Sequence, residues 1–170
     1  MKTLLRQMVR ASRFDVQTYE QVEADRASTA GAVVVVLVAS IAAALGSGAR
    51  DPVSIVSATI ALLVTWVFWV ALTYFIGTHL LPEPQTRSDL GEVLRTTGFS
   101  ASPGVLRILG ALPGVGLFIF IGVTIWMLLT FVVAVRQALD YASSGRALAV
   151  CVLGWLLHGL LFFAFVTVAI

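Results

Sequence analysis

The chain has 170 residues, of which 59% are hydrophobic and 12% charged, and its net charge is +2. That charged fraction is about half of what a soluble domain carries, and the apolar residues are gathered into runs far longer than a core helix or strand needs, which excludes a soluble globular fold. The single cysteine, Cys151, excludes an internal disulfide and a thiolate cluster and reads as a small packing residue; no basic stripe interleaved with aromatics outside the N-terminus supports nucleic-acid binding. The reading is an all-α integral membrane protein. Residues 1–28 form a cytoplasmic N-terminal segment and 29–170 a transmembrane domain.

The opening MKTLLRQMVR forms an amphipathic helix at about 100° per residue, with Lys2, Arg6, Arg10 and Arg13 on one stripe and Leu4, Leu5, Met8 and Val9 opposite. Such a helix either lies among anionic headgroups or packs on the protein's own cytoplasmic face. FDVQTYEQVEAD follows with the opposite charge. Asp15 is placed to cap a helix, Phe14, Tyr19 and Val22 to pack, and Glu20 and Glu23 to share a face. These 28 residues are too polar for a cleavable signal peptide, so the first apolar run reads as an uncleaved anchor.

Four runs are long enough to span: 30–48, 53–81, 116–135 and 148–170. The first carries small residues four apart (Ala39 and Ala43, Ala42 and Gly46), a spacing that favours close helix packing. Between the second and the next run lies LPEPQTRSDLGEVLRTTGF, in which Leu90, Val93, Leu94 and Thr97 predict a short interfacial helix. Residues 99–112 are then only about 21 Å long as an α-helix. Ser102–Pro103 has the chemistry of a helix start, and Pro113-Gly114-Val115-Gly116 that of a turn. If 99–112 crosses, the basic loop at 136–147 faces the cytoplasm with the N-terminus, as the positive-inside tendency requires. The expectation is therefore a five-helix bundle with a short third span and the C-terminus on the opposite side. Arginine supplies all basic residues but Lys2, and Ala, Val and Gly are abundant, which suggests a GC-rich bacterial genome and the inner membrane.

Polar residues at membrane depth are functional candidates by default. Arg107 is one, expected close to the cytoplasmic end of the third span, where it either snorkels to headgroups or faces the bundle. His158, near the middle of the last run, is the other. The cluster VRQALDYASSGRA brings Arg136, Gln137, Asp140 and Arg146 toward Glu20, Glu23 and Asp25, as loop anchors or as a charged cytoplasmic vestibule. No GxSxG elbow, phosphate loop or HExxH is present. The sequence thus names no catalytic residue, no metal ligand and no cofactor.

The stretches FDVQTYEQVEAD, YFIGTHLLPE, SPGVL, IWMLLTFVVAVRQALDY and GRALAV, in that order, resemble the bacterial branch of the Yip family of Rab-interacting membrane proteins. The resemblance implies five spans and a cytoplasmic N-terminus. The long cytosolic N-terminal region and the DLYGP motif of eukaryotic members are missing, so GTPase binding does not carry over. Two readings of function remain. One is a non-enzymatic module that organises membrane or binds anionic lipid, a membrane protein partner or a second copy of itself. The other is a transport or lipid-translocation pathway built on Arg107 and His158.

Overall fold

A computed structural model describes the backbone of residues 2–169 and the side chains of residues 3–157. The elements are α1 (Lys2–Ser12), α2 (Val16–Ala24), α3 (Ser28–Gly46), α4 (Pro52–Phe75), α5 (Leu90–Ser100), α6 (Gly116–Ala138) and α7 (Ser144–Ala169). One π turn, Ile76–Leu80, continues α4, and a 3₁₀ helix, Ser102–Ala111, continues α5. Helices Ser28–Gly46, Pro52–Leu80 and Gly116–Ala138 are long and apolar enough to cross a membrane. The protein is an all-helical membrane protein across its described residues.

The helix ends follow local chemistry. Asp15 accepts from the Thr18 amide at 3.3 Å, Asp51 from the Ser54 amide at 2.9 Å, and Asp25 from the Ala27 amide and the Ser28 hydroxyl at 2.9 and 3.0 Å. Asp89 and Glu92 form a reciprocal capping box, both bonds 2.8 Å. Gly114 turns the chain before α6 at φ +80°, as the Pro-Gly pair predicts.

The predicted helix is present at Leu90–Ser100, and everything from Arg95 to Gly104 is buried within the protein. One expectation is corrected here: the Ser102 hydroxyl does not cap a new helix. It donates back to the Phe99 carbonyl at 2.6 Å, so α5 runs almost directly into the 3₁₀ segment. Thr97 and Ser100 likewise bond back to Val93 and Thr97 carbonyls, which satisfies hydroxyls that have no water to turn to.

This α5–3₁₀ segment lies alongside α3 in the same direction. Gly98 meets Ala32, Gly104 meets Ala39, and Gly110 meets Gly46. The contacts recur every seven residues on α3 and every six on its partner, two turns of an α-helix against two of a 3₁₀ helix. A Cβ on Gly46 would overlap the Arg107 carbonyl, and one on Gly98 would sit 2.7 Å from the Ala32 Cβ. The small residues of α3 therefore do set close packing, at Ala32, Ala39 and Gly46. Tight winding also lengthens the segment: ten 3₁₀ residues cover about 20 Å, against about 15 Å in an α-helix. α6 returns antiparallel, with the Thr130 hydroxyl on the Ser100 carbonyl at 2.8 Å.

The chain thus has two ends. At the near end gather α1, α2 and the loops after α4 and α6. Tyr141 donates to the carbonyls of Gly77 and Leu81 at 3.1 and 2.8 Å, taking up acceptors that the π turn leaves off the regular helix ladder. At the far end lie the α3–α4 and 3₁₀–α6 turns.

Candidate functional site

At the near end, α1 is docked on the bundle. Leu4, Met8 and Ala11 pack into the core with Phe99 and Val35, while Leu5 and Val9 stay exposed. Trp126 holds the end of the helix by donating to the Ser12 carbonyl at 2.8 Å. The predicted cationic stripe is divided: Arg10 is spent on Asp15 at 2.5 Å, whereas Arg6 and Arg13 are exposed. That contact holds the Asp15 carboxyl below the usual carboxylate range. The Lys2 side chain lies outside the described residues. In α2, Tyr19 and Val22 are buried as expected, but Phe14 is 40% exposed at a left-handed φ of +63°.

The predicted vestibule comes together in part. Gln137 donates to Glu20 at 3.3 Å, and Glu23 lies close enough to Asp140, Glu92 and Glu20 to feel their charge. Burial first, and then repulsion from Asp140 and Glu92, push the Glu23 carboxyl up to about 7 against the pull of Arg95. The remaining vestibule candidates go elsewhere. Arg136 caps its own loop, donating to the Tyr141 and Ala142 carbonyls at 3.2 Å each. Arg146 pairs with Glu83 at 3.2 Å and reaches the Pro82 carbonyl at 2.9 Å. Asp25 caps α3. These three do not join the acids of α2, because each finds a nearer unsatisfied partner.

The cation that does join them is Arg95, which sequence reasoning passed over. It is 5% exposed and donates to the carbonyls of Val22 and Glu23, at 3.0 Å each from Nε. Those are C-terminal carbonyls of α2, the negative end of its dipole. The only signal in the sequence was its register, three residues after Glu92 on a helix otherwise read as interfacial.

Arg107 behaves differently. Its backbone packs on Gly46, the last residue of α3, so it stands at the far end of that helix. Eighteen residues of α3, about 27 Å, separate this level from Ser28. Snorkelling to the cytoplasmic headgroups beside the N-terminus is therefore overturned. The side chain instead turns into the bundle. Its NH2 donates to the Thr124 hydroxyl at 3.0 Å, and its guanidinium carbon lies 5.2 Å from the centre of the Phe120 ring. Nε is buried with no acceptor, and no carboxylate pairs with Arg107 among the described residues.

A cleft of about 490 Å³ opens beside it between α4, α6 and α7. Its walls are apolar: Trp66, Trp69, Met127, Phe131 and Trp155 dominate, with Thr97 and Ser100 among the polar points and Thr124 beside Arg107. Trp66 adds a second buried donor without an acceptor, its Nε1. Arg107 also lines a cavity of about 260 Å³ at the far end, with Gly46, Gly110, Gly116 and Phe120. A pocket of about 110 Å³, with Ser40, Ala43 and Trp66, touches it as well. Three tryptophans were legible as span residues, but nothing in their spacing said that they share a cleft. His158 falls outside the described side chains. Among the described residues no group of His, Cys, Asp and Glu could hold a metal.

No family model matches this chain, and neither a curated protein nor a solved structure shows significant similarity to it.

Proposed function

We propose that this chain is a non-enzymatic, five-pass membrane protein that takes an anionic lipid from the surrounding bilayer into the cleft beside Arg107. The carrying observation is a pair of buried donors without acceptors, Arg107 Nε and Trp66 Nε1, on two residues that line the same apolar cleft. A donor buried without an acceptor costs about 1–3 kcal/mol, and in this reading phosphate oxygens accept from these groups while acyl chains cover Trp69, Phe131 and Trp155.

The passes are α3, α4, α5 with its 3₁₀ extension, α6 and α7. The third is supported by the run of small-residue contacts along the length of α3, and the same arrangement is implied by the resemblance to the Yip family. Arg95, Arg136 and Arg146 lie at the same end as the N-terminal arginines, against Arg50 and Arg107 toward the far end. By the positive-inside tendency the near end is cytoplasmic, in a bacterial inner membrane. Arg6 and Arg13 then add headgroup contacts at the surface.

Native mass spectrometry of the gently extracted protein tests the reading. One anionic phospholipid should remain on the unaltered chain, with the bound fraction falling about tenfold in Arg107→Gln, the loss of one charge-assisted contact. Equal retention by both proteins, or retention of phosphatidylethanolamine instead, would overturn it. A defined homo-oligomer without lipid would make the chain an assembly module.

A further inference from the structure

Arg107 is the one residue shared by all three cavities. On one side lies the large cleft, which extends toward the near end as far as Thr97, Leu148 and Cys151. On the other lies the far-end cavity bounded by Gly46, Ser47, Gly110 and Gly116, at the last turn of α3 and the first of α6. Leu117 and Phe120, which line it, are 68% and 57% exposed, so it reaches the molecule's surface. The 110 Å³ pocket shares Leu62, Trp66, Ala101 and Met127 with the cleft and Ala43 with the far-end cavity. Three neighbouring spaces thus follow one another between the ends of the bundle, with Arg107 in the wall of each.

The backbone that carries this cation is unusual. Ten residues of 3₁₀ helix are longer than such helices ordinarily run, and their hydrogen bonds are poorer than those of an α-helix. The segment is anchored by close packing at Gly104 on Ala39 and at Arg107 on Gly46. Among the described residues the arginine side chain is held by Thr124 and the Phe120 face, with no carboxylate to fix it.

Resting on the lipid-binding reading, we propose that the protein passes anionic phospholipid between leaflets, the headgroup moving from the large cleft past Arg107 to the far-end cavity while the acyl chains stay in the bilayer. No bond is made or broken. A headgroup charge entering hydrocarbon alone meets a barrier of several kcal/mol; a guanidinium in the wall of each space offsets it along the way.

The test uses the full chain reconstituted in vesicles of phosphatidylcholine and phosphatidylglycerol, with a trace of phosphatidylglycerol labelled with NBD on an acyl chain. Dithionite added outside bleaches only label that reaches the outer leaflet. Vesicles with the unaltered protein should lose their inner-leaflet fluorescence, and Arg107→Gln should slow that loss about tenfold. Ala43→Phe fills the spaces beyond Arg107 and should stop transfer while native mass spectrometry still finds lipid bound. Should Ala43→Phe misfold, Leu117→Trp at the surface of the far-end cavity decides the same point. Bound lipid with inner-leaflet fluorescence retained would overturn passage and leave binding intact. Absence of bound lipid in the unaltered protein would remove the binding reading first. Unchanged transfer in a folded cavity-filling variant would overturn the route.

Discussion

Arg95 and Arg107 stand twelve residues apart on one run of chain, the first buried and the second half-buried. Arg95 is spent: helix C-terminal carbonyls of α2 take its donors. Arg107 is not: among the described residues it has one hydroxyl and an aromatic face, with Nε left over. An arginine with its donors satisfied holds a fold together; one with donors left over, facing a cleft, is available to a ligand. What separates the two cases chemically is the accounting of each donor.

Substitutions sharpen that contrast. Arg95→Met should cost about 3 kcal/mol, because two buried carbonyls lose charged donors and gain none; thermal unfolding in detergent reads it. A change of under about 1 kcal/mol would mean that α2 docks by Tyr19 and Val22 alone. Gly46→Val should cost about 2 kcal/mol by forcing α3 off the 3₁₀ helix, with the cleft losing lipid as Arg107 shifts.

Trp126→Phe removes one hydrogen bond to Ser12 and should cost about 1 kcal/mol, read more sharply as faster protease cleavage between α1 and α2. The Glu23 effect is smaller again. Its carboxyl is raised from 4.5 to about 7 by burial and by Asp140 and Glu92. The stabilisation that comes with its proton is complete below about 4.5 and lost as pH rises through about 7. The melting temperature should therefore fall between pH 5 and pH 8, and Glu23→Gln should flatten the slope.

Arg107→Met should move stability least, within about 1 kcal/mol and in either direction, because an apolar side chain replaces a charge that has no ionic partner. If it destabilises as much as Arg95→Met, the distinction between the two arginines fails.

Much of this architecture was legible in the residues themselves. Hydropathy over twenty residues at a time located α3, α4 and α6, because lipid solvates only apolar side chains. Pro113-Gly114 marked the turn before α6, and Asp15 and Asp89 marked helix starts, because caps and turns are local events within a few residues. The short stretch at 99–112 was the harder case. Its answer is a change of helix type, and six-residue glycine spacing becomes meaningful only against the seven-residue spacing of α3.

The fates of individual charges were decided by tertiary structure alone. Arg136 and Arg146 were legible as loop anchors or as part of a vestibule with Asp25, and each settled on backbone or side-chain groups of other elements or its own loop. Arg95 came to α2 across more than seventy residues of chain. Charge type and position along the chain fix how many donors and acceptors must be satisfied in a space without water. Which of them meet depends on packing, and so does which donor is left over, as at Arg107.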